Sequence, residues 1–432
     1  MTPIDTIDTI DTIDTIDTID TIIKEPPAKF KKSIMVIPPI IAIAGILFFI
    51  FFATSAHPEK AWLVYLTNFL FFTALSAGGL LFSTLMHFTK AKWSHNLAGI
   101  AESFAAFFPV SFILFILLFI GQDHVFTWIG VDLHGKGIWL NIPFLFFRDF
   151  IAFLILYCLG FAYLYQTLKF RLKNAGKETW LKQFLFRRFE KTPHDPEKIK
   201  HRMTIFAGWY MLAFALVFAL TGFDLVMSMD PHWYSTLFGA YTFIKAIYAG
   251  FGAIIILASI LHLNPNFSFN LSSSQLRDMS TLFFGFSIVW GDFFYSQFVV
   301  IWYGNIPEET AYIIERTMTS PWKWLAWTVF IVCFIMPFII LLSRKIKESP
   351  WCMIVVSSFV LAGLWIEHFL LLGPSYLDHE YFVHNTGIFP ISISELIISL
   401  TFLSLLIIAI LFYLKQFPEL LKKGSGEVVQ WK

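Results

Sequence analysis

The sequence predicts an all-α polytopic membrane protein with about ten transmembrane helices. Three observations predict it. First, 57% of the 432 residues are hydrophobic, 14% are charged and the mean hydropathy is +0.68. A soluble domain is roughly 45–50% apolar and about 25% charged, so this surface must lie largely in lipid. Second, ten apolar segments reach the roughly 20 residues needed to cross about 30 Å of hydrocarbon. Third, 25 of the 31 Lys and Arg fall on one alternating set of segments outside the spans, 4 on the other set and 2 within spans. That bias is the positive-inside pattern, and it predicts both termini on the cytoplasmic side of the membrane.

The elements follow in chain order. Residues 1–33 form an acidic low-complexity tail and a basic juxtamembrane segment. The tract IDTIDTIDTIDTIDTIDTI over 4–22 has period 3, which matches neither a helical stripe nor a strand. It lacks the basic start and small-residue cleavage site of a signal peptide. The membrane domain covers 34–415, with spans near 34–53, 61–89, 97–121, 138–166, 203–229, 233–262, 276–303, 322–343, 351–373 and 388–413. Backbone groups in lipid must bond internally, so these spans are helices. The basic loop 167–202 separates four spans from six, and residues 416–432 form a cytoplasmic tail. No loop is long enough for a soluble catalytic domain.

Composition also excludes several functions. A net charge of +1 argues against a nucleic-acid partner. The three cysteines, Cys158, Cys333 and Cys352, include no Cys-x-x-Cys, so they read as buried thiols rather than metal ligands. His87 and His368 do not supply the facing pairs that haem b needs. Trp residues near span ends read as interfacial anchors.

Ionisable residues inside the spans are the functional signal. A charge at the bilayer centre costs several kcal/mol. The candidates for a proton path are Glu102, Arg148, Asp149, Asp224, Lys245, Asp292, Glu367, His368 and Glu395. At about 1.5 Å per residue, Asp224, Glu367 and Glu395 lie in the outer third. Arg148, Asp149, Lys245 and Asp292 lie near the middle and Glu102 near the inner face. The acids outnumber the two intramembrane cations, Arg148 and Lys245, so pairing alone does not account for them. Structural pairing of single residues stays open. So do a secondary transporter, with Arg148, Lys245 and Asp292 holding a small ion, and an inert scaffold.

Two segments carry a family resemblance: GFDLVMSMDPHWYST over 222–236, and YSQF at 295–298 followed by IWYGNIPEET at 301–310. Both resemble the ActF-type subunit of bacterial alternative complex III, a quinol:cytochrome c oxidoreductase, among the wider NrfD/polysulfide-reductase membrane subunits. The resemblance implies two four-helix bundles flanked by outer helices and no redox metal. It implies as partners an ActC-type membrane subunit, an iron–sulfur protein, multihaem and monohaem c-type cytochromes and a haem–copper oxidase, with menaquinol or another quinol oxidised to menaquinone or the matching quinone. It assigns this subunit a role in proton conduction. Asp224 and the Glu308–Glu309 pair match the motifs, whereas Asp292 departs from the family pattern. Asp230, His232, Trp233, Asn305, Glu308 and Glu309 would form an external surface for a cytochrome partner. Glu315, Asp378 and Glu380 add to the acidity of that side.

Overall fold

The computed structural model describes residues 31–55, 58–133, 135–172, 179–189, 195–376 and 391–421. The repeat tract, Lys24, Lys29, Asp378, Glu380 and part of the basic loop and C-terminal tail lie outside the described residues. All regular structure among the described residues is helical.

Ten helices are long and apolar enough to cross a membrane. We number them with two surface helices in chain order: α1 Lys32–Ala53, α2 Pro58–Phe88, α3 Lys92–Leu118, α4 Ile142–Arg171, the surface helix α5 Trp180–Phe189, α6 Pro196–Leu225, α7 Phe238–Leu263, α8 Ser273–Gly304, the surface helix α9 Pro307–Thr317, α10 Trp322–Ile340, α11 Pro350–Tyr376 and α12 Ile393–Gln416. Contacts sort the ends into two sides. Trp93 meets Gln275 and Glu102 meets Arg171 on the termini side. Lys60 meets Glu395 and Val125 meets Tyr376 on the opposite side.

Local chemistry sets the boundaries. Asn141 caps α4 by accepting from the Phe144 amide at 3.0 Å, so the helix starts at Ile142 rather than 138. Asp195 caps α6 with Pro196 in its first turn, which starts that helix seven residues before the predicted 203. Ser272 and Gln275 form a capping box on α8. Asn305, at φ +46°, ends α8 in the left-handed region, and Pro307 opens α9. In α10, Pro337 cannot donate to the carbonyl four residues back. That carbonyl, on Cys333, accepts instead from Tyr248 Oη at 3.1 Å, beside a wide turn over Ile331–Ile335.

Packing yields the two four-helix groups the resemblance implied. The first joins α2, α3, α4 and α6, and the second joins α7, α8, α10 and α11. α1 and α12 pack together beside the first group. The groups meet where α2 crosses α7, and Gly78 and Gly250 allow backbone contact there. A Cβ on Gly78 would lie 2.2 Å from the Ala246 carbonyl oxygen. α2 is buried along most of its length, whereas α1 exposes Ile40, Ile43, Leu47 and Phe51. One sequence expectation is corrected here. Only Cys333 is buried, and Cys158 and Cys352 are exposed on outward helix faces.

Candidate functional site

Burying an ionised side chain requires a counter-charge or hydrogen bonds. Four of the predicted acids have both. Glu102, fully buried on α3, is held by Arg171 from the end of α4, with Nη2 3.1 Å from Oε1 and Nη1 3.3 Å from Oε2. Ser83 donates to Oε1 at 3.0 Å and also meets the Tyr163 hydroxyl at 3.1 Å. Asp224, at the last turn of α6, accepts from Arg148 Nε at 2.6 Å and from Trp139 Nε1 at 2.9 Å. The Arg148 guanidinium lies 4.0 Å from the Trp139 ring centroid and donates to the Trp139 carbonyl.

In the second group, Glu367 on α11 is surrounded by donors. Its Oε1 accepts from the Tyr241 hydroxyl and from Lys245 Nζ at 3.3 Å, both on α7. Its Oε2 accepts from Trp290 Nε1 of α8 at 3.2 Å. The adjacent His368 turns Nδ1 to the Leu364 carbonyl at 2.8 Å, within its own helix. Glu395 caps α12 through Ser392 and lies 3.0 Å from Lys60 Nζ.

The expectation of only two cations for these acids is therefore corrected to four, against six acids, and among the described residues Asp149 and Asp292 form no ion pair. Lys60 and Arg171 lie at helix ends and read as loop charges, yet their long stems carry the charge inward to Glu395 and Glu102. A second correction concerns Asp292. It lies on the exposed face of α8, away from the buried groups, and makes no ion pair among the described residues.

Asp149 is the exception among the buried acids. It is 1% exposed and adjoins Asp224 in hydrogen-bonding contact, yet its Oδ2 has no donor among the described residues. From Asp149, one face of α4 carries a series that sequence reading missed: Tyr157, Tyr163, Thr167 and Arg171. At about 100° per residue these positions fall within an arc of about 120° around the helix. Arg148 and Asp149, expected near the middle of the membrane, lie instead beside Asp224 within eight residues of the start of α4. The 22 steps from Asp149 to Arg171 cover about 33 Å, near the thickness of the hydrocarbon layer. The Tyr157 hydroxyl continues through Ser111 at 2.8 Å to Thr73, 2.6 Å further, and both neighbours are buried. Tyr163 meets Ser83 and thereby Glu102.

The motif segments meet on the opposite side. Trp233 is buried, and its ring stacks on Tyr312 of α9 with centroids 3.8 Å apart and planes 5° apart. Arg316 lies 3.4 Å from the Tyr312 ring centroid and donates to the Leu371 carbonyl, and its Nη1 lies 3.9 Å from Asp230. Burial pushes the Tyr312 phenol up, which keeps it neutral beside the cation. Trp233 thus anchors the segment rather than offering a surface. His232, Asn305 and Glu308 are exposed and Glu309 is half-buried, beside exposed Trp302 and Tyr303.

A sequence model of the family described as polysulphide reductase, NrfD, matches residues 35–378. No curated protein matches the chain.

Proposed function

This chain belongs to the polysulphide reductase NrfD family of membrane proteins, and on that footing we propose that it is the ActF-type membrane subunit of a quinol:cytochrome c oxidoreductase that conducts protons along α4. Members of this family work in redox complexes with partners such as iron–sulfur proteins. In the proposed complex, quinol oxidation yields quinone, two protons and two electrons. The electrons leave through iron–sulfur and haem groups of the partner subunits, with an ActC-like subunit beside this one.

The observation that carries the reading is the stripe from Asp149 to Arg171. A proton-conducting path needs a series of groups that can both accept and donate, linked by hydrogen bonds or water. Carboxyls and hydroxyls meet this need, and the apolar side chains that dominate the rest of α4 do not. Asp149 adjoins Asp224, and this pair of carboxyls forms the entry point. Tyr157 with Ser111 and Thr73 forms the middle relay, and Tyr163 with Ser83 and Glu102 the relay toward the termini side. Bridging waters complete the gaps along the helix. The exposed acids and aromatics at 302–309 suit docking of a basic cytochrome surface.

The orientation with both termini in the cytoplasm belongs to the same proposal and rests on the Lys and Arg bias. The four ion pairs favour a second reading, a redox-inert scaffold in which every charge is structural. Purification of the full chain in mild detergent from its native membrane tests the first reading. The expected result is co-migration with c-type haem absorbance and quinol:cytochrome c activity. A haem-free species that transports a solute would overturn it.

A further inference from the structure

The least apolar of the ten spans is also among the least covered. α8 has a mean hydropathy of 1.3 in its most apolar window, against 1.8 to 2.8 for the other nine, and only 22% of that window is buried. α1 is equally uncovered, at 17%, but has a mean hydropathy of 2.8, as a lipid-facing helix should. The open face of α8 also carries an ionisable residue, Asp292.

That face is a regular stripe. Thr281, Gly285, Ile288, Asp292, Tyr295, Val299 and Trp302 follow one another at alternating steps of four and three residues. Steps of four and three keep these positions on one face of the helix, the geometry through which a second helix can pack. Ile288, Asp292, Tyr295 and Trp302 are exposed. Asp292 lies ten residues from Trp302, about 15 Å inside the aromatic end of the span. An ionised carboxyl exposed to hydrocarbon there costs several kcal/mol. Gly285 supplies an independent observation. A Cβ at that position meets nothing within 4 Å, and its backbone is not left-handed. Nothing among the described residues requires a glycine there, and glycine costs a helix interior about 1 kcal/mol relative to alanine. Close approach of a second helix gives it a purpose.

We propose that this stripe seats a transmembrane helix of a different polypeptide, one that crosses α8 at Gly285 and presents a Lys or Arg to Asp292. Charge selects the occupant. A second copy of this chain, paired through the same stripe about a two-fold axis, would set Asp292 against Asp292. A cation on a distinct partner instead forms an ion pair where water is absent. This inference stands apart from the proton path and from the identity of the electron carriers.

Photo-crosslinking in native membranes tests it, with a benzophenone amino acid in place of Ile288, Tyr295 or, as a lipid-facing control, Leu47. The expected result is one discrete adduct from Ile288 and Tyr295 and none from Leu47. The adduct maps to an apolar segment of another protein that contains a Lys or Arg. Asp292→Lys cuts the adduct yield at least tenfold, and replacing the partner's basic residue with Glu restores it. An adduct with a second copy of this chain, reaction with lipid alone at all three positions, or an unchanged yield in Asp292→Lys would overturn the proposal.

Discussion

Glu367→Gln should be among the most destabilising single substitutions in the membrane domain. Lys245 Nζ lies 3.3 Å from Glu367 Oε1, and both side chains are at most 4% exposed. At an effective dielectric constant near 20, Coulomb's law gives an attraction of about 5 kcal/mol. Much of that gain offsets the cost of burying the two ions, so the pair's net contribution is smaller. Removing one partner leaves the other charge buried alone, which costs about 3–5 kcal/mol. A glutamine also offers one acceptor oxygen where three donors, from Tyr241, Lys245 and Trp290, now converge on two. Lys245→Met should cost a similar amount. The double variant should cost no more than either single one, which gives a coupling of at least about 3 kcal/mol. Equilibrium unfolding of purified protein by a denaturing detergent, followed by tryptophan fluorescence, measures all three. Single-variant costs below about 1 kcal/mol, or additive costs, would refute the assignment of this cluster as a buried ion pair.

Further expectations follow from other contacts. Gly78→Ala should cost about 1–3 kcal/mol, because its Cβ meets backbone of α7, whereas Gly285→Ala should not reduce the stability of the isolated chain. The same unfolding assay separates them, and equal costs would contradict the packing argument. Arg316→Met removes the donors to Leu371 and Ser375 and the cation over Tyr312. It should expose the 304–322 segment to limited proteolysis, and an unchanged cleavage pattern would count against the clasp. Glu348, outside the spans, is held below its ordinary carboxylate range by the hydrogen bond from Arg344 and by attraction to Arg344 and Arg277. A depressed value means stability present above the unfolded value and lost as pH falls through the folded one. Glu348→Gln should flatten that part of an acid titration of stability, and an identical profile would contradict the pairing.

The spans were legible because the cost of exposing apolar surface leaves a direct mark on composition. The kinds and rough positions of all ten helices follow from it. Boundaries were less legible, because single caps such as Asn141 and Asp195 set them. The buried acids were legible as residues, but their partners were not. Lys60 and Arg171 fall at helix ends, where charge counting assigns them to loops, and only the reach of the side chain brings them inside. The face of α4 was missed for a different reason. Tyr157 and Tyr163 read as aromatic bulk in a chain rich in Phe, and their hydroxyls join a hydrogen-bonded series only once Ser111 and Ser83 are brought against them. Asp292 was read by depth alone, and depth says nothing about which face of a helix a residue occupies. The comparison with the family fixes membership, and the choice of complex rests on the motif segments.

The central claim is that protons cross this subunit along α4. The most direct measurement is the proton-to-electron ratio of the purified complex in sealed vesicles during quinol oxidation, for the natural chain and for Asp149→Asn with Tyr157→Phe. The account predicts a lower ratio in the variant while electron transfer to cytochrome c proceeds. An unchanged ratio, with the variant complex intact and active, would contradict it.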